Sequence, residues 1–295
     1  MIIVKINGGL GNQMFQYAFG RSQSLLLNTQ LKLDISWFTK IPETDTVRTY
    51  ELDCFNLKQV VALESEIQKT KGIFALLPKR IIKLFNKMNF LHQNSYFLEK
   101  KYNYDNTIVL STGDTYFEGY WQSYHYFEKY KDIIKDEFIE NYILINENNK
   151  ITEIIESQNA VSLHIRRGDY ISNPNANSYH GICSLEYYEK SMQYIATEIS
   201  NPYFIIFSDD IEWVKKNLQT TFSLIFVERK KDDKPFDDIY LMSKCQHNII
   251  ANSSFSWWGA YLNSNSQKIV IAPKKWFNDS SKDTTDLIPV EWIRL

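Results

Sequence analysis

The sequence predicts an α/β protein made of two parallel-sheet halves. Three observations carry that expectation. The chain opens on a strand, a glycine turn and a helix (MIIVKINGGLGNQMFQYAFGRSQSLLL), it alternates strands with helices from Gln158 onward, and its 295 residues suffice for two cores.

In the first half, IIVK is a short apolar run ending before Asn7, and apolar residues then recur at helical spacing until LKLD supplies a second strand. This makes one strand-helix-strand unit over residues 2–35. The middle is helix-rich. There IFALLPKRIIKLFNKMNFLH interleaves Lys79, Arg80, Lys83 and Lys87 with apolar residues. Such a helix either packs on its own domain with lysines in water or lies on an anionic membrane surface through 79–91. The acidic, Asn-rich piece ENYILINENNKITEI around 140–154 reads as a passage between domains, dividing the chain into 1–150 and 151–295.

In the second half, NAVSLHIRR reads as a buried strand, SLEYYEKSMQYIATEIS as a helix, NPYFIIFSDD as a strand and IEWVKKNLQT as a short helix. SLIFVE, FDDIYLMSKC, HNIIANSS, FSWWGAYLNS and KIVIAP continue the alternation. The pattern is that of a Rossmann-like parallel sheet covered on both faces. Two such halves facing one another leave a cleft at the carboxyl ends of their strands.

Composition removes several classes of function. A formal net charge of -2 gives no general attraction to phosphate backbones, so nucleic acid is not an expected partner. Cys54, Cys183 and Cys245 are odd in number and widely spaced, which fits a reducing compartment better than a disulfide framework or a C-x-x-C metal site. No secretory signal or membrane-spanning run is present, and a cytoplasmic protein is expected. Aromatic residues at 15% supply either a large aromatic core or a sugar-stacking surface.

The opening turn admits more than one use. Gly9 and Gly11 followed by Met14 approach the dinucleotide fingerprint without its third glycine, and Asp34 stands near the expected ribose carboxylate. A nicotinamide enzyme is one reading and a ligand-free turn another. Asn12 and Gln13 stand where a ligand over the helix N-terminus would meet them.

The later strand ends carry more chemistry. LHIRRGDY places His164, Arg166, Arg167 and Asp169 at one of them, either as paired guanidinium groups for a diphosphate or as a structural Arg–Asp cap. FSDD ends the next strand in Asp209 and Asp210, which either accept from guanine or cap the following helix. Asn252, Ser253, Ser254, Phe255 and Ser256 form a strand-to-helix junction suited to an anion or to plain capping, and Trp257 and Trp258 read as packing. No P-loop, H-E-x-x-H, G-x-S-x-G or Asp-x-Asp triplet occurs, so a departing diphosphate would need arginine and a helix dipole for its charge. A non-catalytic sugar-binding module resting on the aromatics is the further alternative.

The ordered set GGLGNQMFQYAFGRS, FEGYWQSYHYF, HIRRGDY, FSDD, DDIYLMSKCQHNIIANSSFSWWGAYLN and IAPKKWF closely resembles the bacterial α-1,2-fucosyltransferases of glycosyltransferase family 11. The resemblance runs from Met1 to about Phe277 and is weakest over 60–105. It implies a GT-B architecture and inverting, metal-independent transfer from GDP-fucose to a galactoside in a surface glycan such as a lipopolysaccharide repeat. It also implies that Arg166 meets the donor β-phosphate, His164 faces guanine or ribose, Asp209 reads guanine, Ser253, Ser254 and Phe255 wrap the nucleotide, and Asn12 approaches the reaction centre. In FEGYWQSYHYF, Tyr120, Gln122 and Tyr126 either line the galactoside site or belong to a buried aromatic strand. Asp169, Glu118 and the histidines are formal candidates for a general base, none selected by spacing.

Overall fold

The computed structural model describes residues 1–295 except 43–45, 56, 58–59, 88–94, 107, 109–112, 141, 143–148, 158, 169–180, 230–233 and 280–281. The chain forms two compact units: Met1–Asn141 with Lys282–Ile288, and Tyr142–Ser281 with Pro289–Leu295.

The first unit contains β1 (Ile2–Lys5), α1 (Leu10–Leu26), β2 (Leu31–Asp34), β3 (Val60–Val61), α2 (Glu64–Lys71), α3 (Lys79–Lys87), β4 (Tyr96–Leu98), β5 (Thr115–Glu118) and α4 (Lys131–Ile139). Its five strands are all parallel in the order β3-β2-β1-β5-β4. The sheet is entered at β1 and extended first to one side and then to the other, so the direction of winding reverses between β1 and β5. Gly20 lets α1 lie directly on β1, because a Cβ there would stand 2.5 Å from Val4 Cγ2. That close approach is what the third fingerprint glycine provides elsewhere. Met14 is fully buried, and Gly20, nearly two turns on, takes over the task.

The second unit contains α5 (Asn149–Ser157), β6 (Ala160–Ile165), α6 (Leu185–Glu198), β7 (Tyr203–Ser208), α7 (Ile211–Asn217), β8 (Ser223–Phe226), α8 (Pro235–Lys244), β9 (His247–Ile249), α9 (Ser254–Leu262), β10 (Val270–Ala272) and β11 (Ile293–Arg294). Its parallel order is β11-β10-β9-β6-β7-β8. Counted from β6 this is the doubly wound Rossmann order, with the reversal between β6 and β9. The expected α/β class with two parallel-sheet halves is what the chain forms.

Strand alternation decides which face each residue serves. Val161, Leu163 and Ile165 pack with Tyr188, Met192 and Ile195 of α6 and with Val214 of α7. Ala160, Ile205 and Phe207 face the opposite layer, Leu241 and Met242 of α8 and Ile151 and Ile155 of α5. His164, even-numbered on β6, therefore points toward the α8 and α9 side. Trp257 and Trp258 are fully buried and pack edge to face with ring centroids 5.1 Å apart, as core residues do.

Candidate active site

In an open parallel sheet, ligands bind beyond the carboxyl ends of the strands where the winding reverses. In the second unit that point joins the turn after β6 to the N-terminus of α9. Arg166 leaves β6 and donates from Nη1 to Asp209 Oδ2 at 2.6 Å, while the Arg167 N–H donates to Asp209 Oδ1 at 2.9 Å. Gly168 is obligatory, since a Cβ there would lie 2.6 Å from Asp209 Oδ2. Burial pushes the Asp209 carboxyl up, but the Arg166 charge and the Gly168 and Arg167 N–H groups outweigh it and hold it below its usual range. Both oxygens of Asp209 thus hold the arginine turn in place.

Arg167 turns the other way. Its guanidinium lies 3.3 Å from the centroid of Trp213 and its Nε donates to Asp210 Oδ2 at 3.3 Å. Asp210 also caps α7, accepting from the Trp213 N–H at 3.3 Å. Arg167 and Asp210 therefore form a structural pair with the helix cap, and Arg166 is the arginine of the switch point.

His164 is 4% exposed and its Nδ1 has no hydrogen-bond partner. Burial, reinforced by Arg166 and Arg229 against Asp209, lowers its pKa to about 3, so the ring is neutral at physiological pH. It faces Phe255 with ring centroids 5.6 Å apart. Arg229 lies over the other residues of this corner, its Cζ 5.9 Å from the Phe255 centroid and its Nε 2.7 Å from Asp238 Oδ2. The sequence reading missed Arg229 and Asp238. Their pairing, between a residue after β8 and one on α8, is a contact that no periodicity encodes.

At the α9 terminus, Ser253 is the N-cap and its Oγ accepts from the Phe255 N–H at 3.3 Å. Ser254 and Phe255 remain partly exposed in the first turn. Asn252 and Ser256 point inward: Asn252 Nδ2 donates to Gly181 O and Trp276 O at 3.3 and 3.2 Å, and Ser256 Oγ donates to Ser253 O at 3.4 Å. Their side chains brace the junction. Asp169 lies outside the described residues.

The first unit has its own reversal point, built from amides. Gly8 holds φ at +75°, a left-handed conformation that suits glycine. Gln16 ties Asn7 through a reciprocal pair, accepting from its N–H at 2.9 Å and donating to its Oδ1 at 2.8 Å. Gln13 is fully buried, donating to Gly8 O and Thr49 O at 2.9 Å and accepting from Glu51 N–H at 2.9 Å. This corrects the expectation that Gln13 meets a ligand. Asn12 stays partly exposed, and its Oδ1 accepts from Gln122 Nε2 at 2.8 Å.

Asp34 does not present itself to a ribose. It is 1% exposed and accepts from Tyr116 Oη at 2.6 Å and Ser36 N–H at 3.0 Å. Glu118 is likewise engaged: Lys5 Nζ donates to it at 2.7 Å and the Tyr96 hydroxyl caps its other oxygen. Its carboxyl, pushed up by burial, is drawn back below its usual range by Lys5 and Tyr96, which makes it a poor general base. Among the described residues no cluster of His, Cys, Asp and Glu side chains could hold a metal ion.

Comparison with known proteins decides the family. The model named Glycosyl transferase family 11 matches residues 1–295. The chain belongs to glycosyl transferase family 11. Two Rossmann-like units in one chain make this glycosyltransferase GT-B-like in composition. It is 35% identical to an alpha-1,2-colitosyltransferase of Escherichia coli over 300 residues, covering all of this chain and 99% of the relative. It is 37% identical to the O-antigen biosynthesis glycosyltransferase WbnK of Escherichia coli over 302 residues, covering 98% and 99%. A shorter match of 110 residues, 28% identical, relates it to galactoside alpha-(1,2)-fucosyltransferase 1 of Rattus norvegicus over 37% of this chain and 29% of that protein. Family membership removes the nicotinamide enzyme and the non-catalytic sugar module as readings of this glycosyltransferase.

Proposed function

We propose that this chain is a galactoside α-1,2-fucosyltransferase that transfers L-fucose from GDP-β-L-fucose to the 2-hydroxyl of a terminal galactose in a surface glycan, with inversion and without a metal. The observation that carries the reading is Arg166, fixed by Asp209 beside a helix N-terminus at the switch point of the second sheet. In the reaction the bond from the anomeric carbon to the β-phosphate oxygen breaks as the bond to the acceptor oxygen forms. Positive charge builds on the sugar ring and negative charge on GDP, and a preorganised guanidinium stabilises the second of these most where it is largest, late in cleavage. Neutral His164, Phe255 and the first turn of α9 form the corner for the nucleoside, and Asp209 serves as the clamp of Arg166 instead of the reader of guanine.

Asn12 takes the positioning role for the acceptor hydroxyl. Its carboxamide is a weak base, so the proton leaves late, when the acceptor oxygen is already bonded to carbon and strongly acidic. The relatives' names support α-1,2 transfer and leave two donors to compare, because colitose is fucose without its 3-hydroxyl. The test is GDP release from GDP-fucose and GDP-colitose in excess EDTA with lactose and N-acetyllactosamine, the linkage being read by NMR. An α-1,2-fucosylated product in EDTA supports donor, linkage and metal-independence together. Turnover with GDP-colitose alone overturns the donor, and dependence on added Mg²⁺ or Mn²⁺ overturns the metal-free mechanism.

A cytoplasmic location belongs to the same proposal and is supported by three free thiols. Among the described residues no helix is long and apolar enough to cross a membrane. Peripheral contact with an anionic bilayer through 79–91 is supported by Ile81 and Leu84, 40% and 58% exposed on α3 beside Arg80 and Lys83. Residues 88–91 lie outside the described residues. Salt-sensitive co-sedimentation with phosphatidylglycerol vesicles, lost in Leu84→Asp, is the expected result. Equal recovery with phosphatidylcholine vesicles overturns it.

A further inference from the structure

The first unit holds a cavity of its own. It has a volume of about 390 Å³ and lies wholly within the first unit, beyond the carboxyl ends of β4 and β5. Phe97, Trp121 and Tyr126 supply aromatic walls, and Glu99, Lys100 and Tyr104 supply polar groups.

The turn that forms one wall is built under constraint. Gly119 has no room for a side chain, since a Cβ would stand 2.4 Å from Glu99 Cβ. Glu99 accepts from the Tyr120 N–H at 2.6 Å and from the Trp121 N–H at 2.9 Å. Trp121 holds φ at +55°, a conformation that a bulky residue keeps only where its surroundings enforce it. Its ring stacks on Phe19 at 4.1 Å between centroids, yet its Nε1–H has no partner. The next residue is Gln122, which holds Asn12. One strained turn thus fixes both a wall of the cavity and the group assigned to the acceptor hydroxyl.

The lining selects the kind of occupant. Aromatic faces suit the C–H faces of a sugar ring, while a carboxylate and an ammonium at the same opening suit its hydroxyls. A purely apolar ligand would forgo the hydrogen bonds that the lysines and carboxylates of the opening offer. A phosphate would meet that carboxylate with only single lysines to balance it, with no fork of arginine in the lining.

We propose that this cavity is an acceptor subsite that binds the pyranose next to the reacting galactose, with Tyr104 as the ring it stacks on. Tyr104 is 41% exposed, edge-on against Tyr126 at 4.9 Å and tilted against His125 at 5.5 Å, and its exposed part is the aromatic surface offered to a sugar. The inference rests on the acceptor half of the proposed function and is independent of its donor half.

The experiment measures binding to the full chain without any nucleotide sugar, by calorimetry and saturation-transfer NMR, using methyl β-galactoside, lactose and N-acetyllactosamine. The disaccharides should bind about tenfold or more tightly than the methyl glycoside, the usual scale of one apolar subsite contact. Tyr104→Ala should reduce that ratio to near one with melting temperature and GDP affinity unchanged, and Tyr104→Phe should restore it. A ratio equal in wild type and Tyr104→Ala, a disaccharide no better than the monosaccharide, or no binding by any of the three overturns the proposal. A preserved ratio in a protein that fails to use GDP-fucose would instead break the donor reading alone.

Discussion

The two units solve the same topological problem with opposite chemistry. Each places a sharp turn where its parallel sheet reverses, but the first braces that turn with neutral amides, Gln13, Gln16 and Gln122, while the second braces it with Arg166, Arg167, Asp209 and Asp210. Amides orient a hydroxyl without polarising the medium around it. Fixed charge answers charge, which is what a departing diphosphate presents. The proposed function uses this difference, the first turn for the acceptor hydroxyl and the second for the diphosphate, although the Arg48 side chain also reaches to within 4.0 Å of where a Gly9 Cβ would stand.

Arg166→Lys is the sharpest way to break this contrast. It keeps one positive charge but loses the guanidinium whose Nη1 is held by Asp209 Oδ2, and transfer should fall on the order of 100-fold, about 3 kcal/mol in barrier, with circular dichroism unchanged. Near-normal turnover in a folded Arg166→Lys would remove the charge-based role of the second turn. Arg166→Ala should lose at least as much.

Asp209→Asn tests whether the clamp matters apart from the arginine. With the carboxylate gone, Arg166 keeps its charge but not its position, and kcat should drop roughly tenfold to 100-fold. GDP affinity should change less than kcat, and equal losses in both would make Asp209 a plain binding residue.

Asn12→Ala acts on the amide side. We expect acceptor-dependent turnover to fall about tenfold or more while GDP affinity stays as in wild type, because no donor contact is removed. Weakened GDP binding in Asn12→Ala would erase the division of labour between the two turns.

The smallest expected effect separates the units by pH. Burial pushes the Glu99 carboxyl up to about 7 against two backbone N–H groups, so its ionised form is disfavoured in the fold. Stability from this group is fully present below about pH 4.5 and declines as pH rises through 7. His164, lowered to about 3, does the reverse: its contribution is present above about pH 6.5 and declines as pH falls toward 3. Thermal unfolding should therefore lose part of the fall in stability between about pH 4.5 and 7 in Glu99→Gln, and part of the fall below about pH 6.5 in His164→Asn. Unchanged slopes in both would show that neither group differs between folded and unfolded chains.

What could be read from the sequence follows the range over which each feature is determined. The second sheet was legible because each of its strands is a short apolar run bounded by its own helix, and Arg166 was legible because a strand end is a local event. Gln13 was not, since its partners Thr49 and Glu51 lie 36 and 38 positions away. Glu99 and Trp121 escaped for a similar reason: their pairing joins two strand ends 22 residues apart, and Glu99 lies in the stretch where the resemblance is weakest. Asp209 was legible as a functional carboxylate, but its partner, Arg166, is a fact of packing between neighbouring strands. The Arg229–Asp238 pair was missed because it joins a segment after β8 to a side chain on α8.

The return of Lys282–Ile288 to the first unit, before the chain ends in β11 of the second, has a practical corollary for recombining relatives. A chimera made with a single crossover near residue 142 would carry a foreign heptapeptide into the recipient's amino-terminal half. Faithful exchange of the second unit needs three junctions, the last two preserving the recipient's own 282–288, and libraries built that way should yield soluble hybrids where one-point splices precipitate.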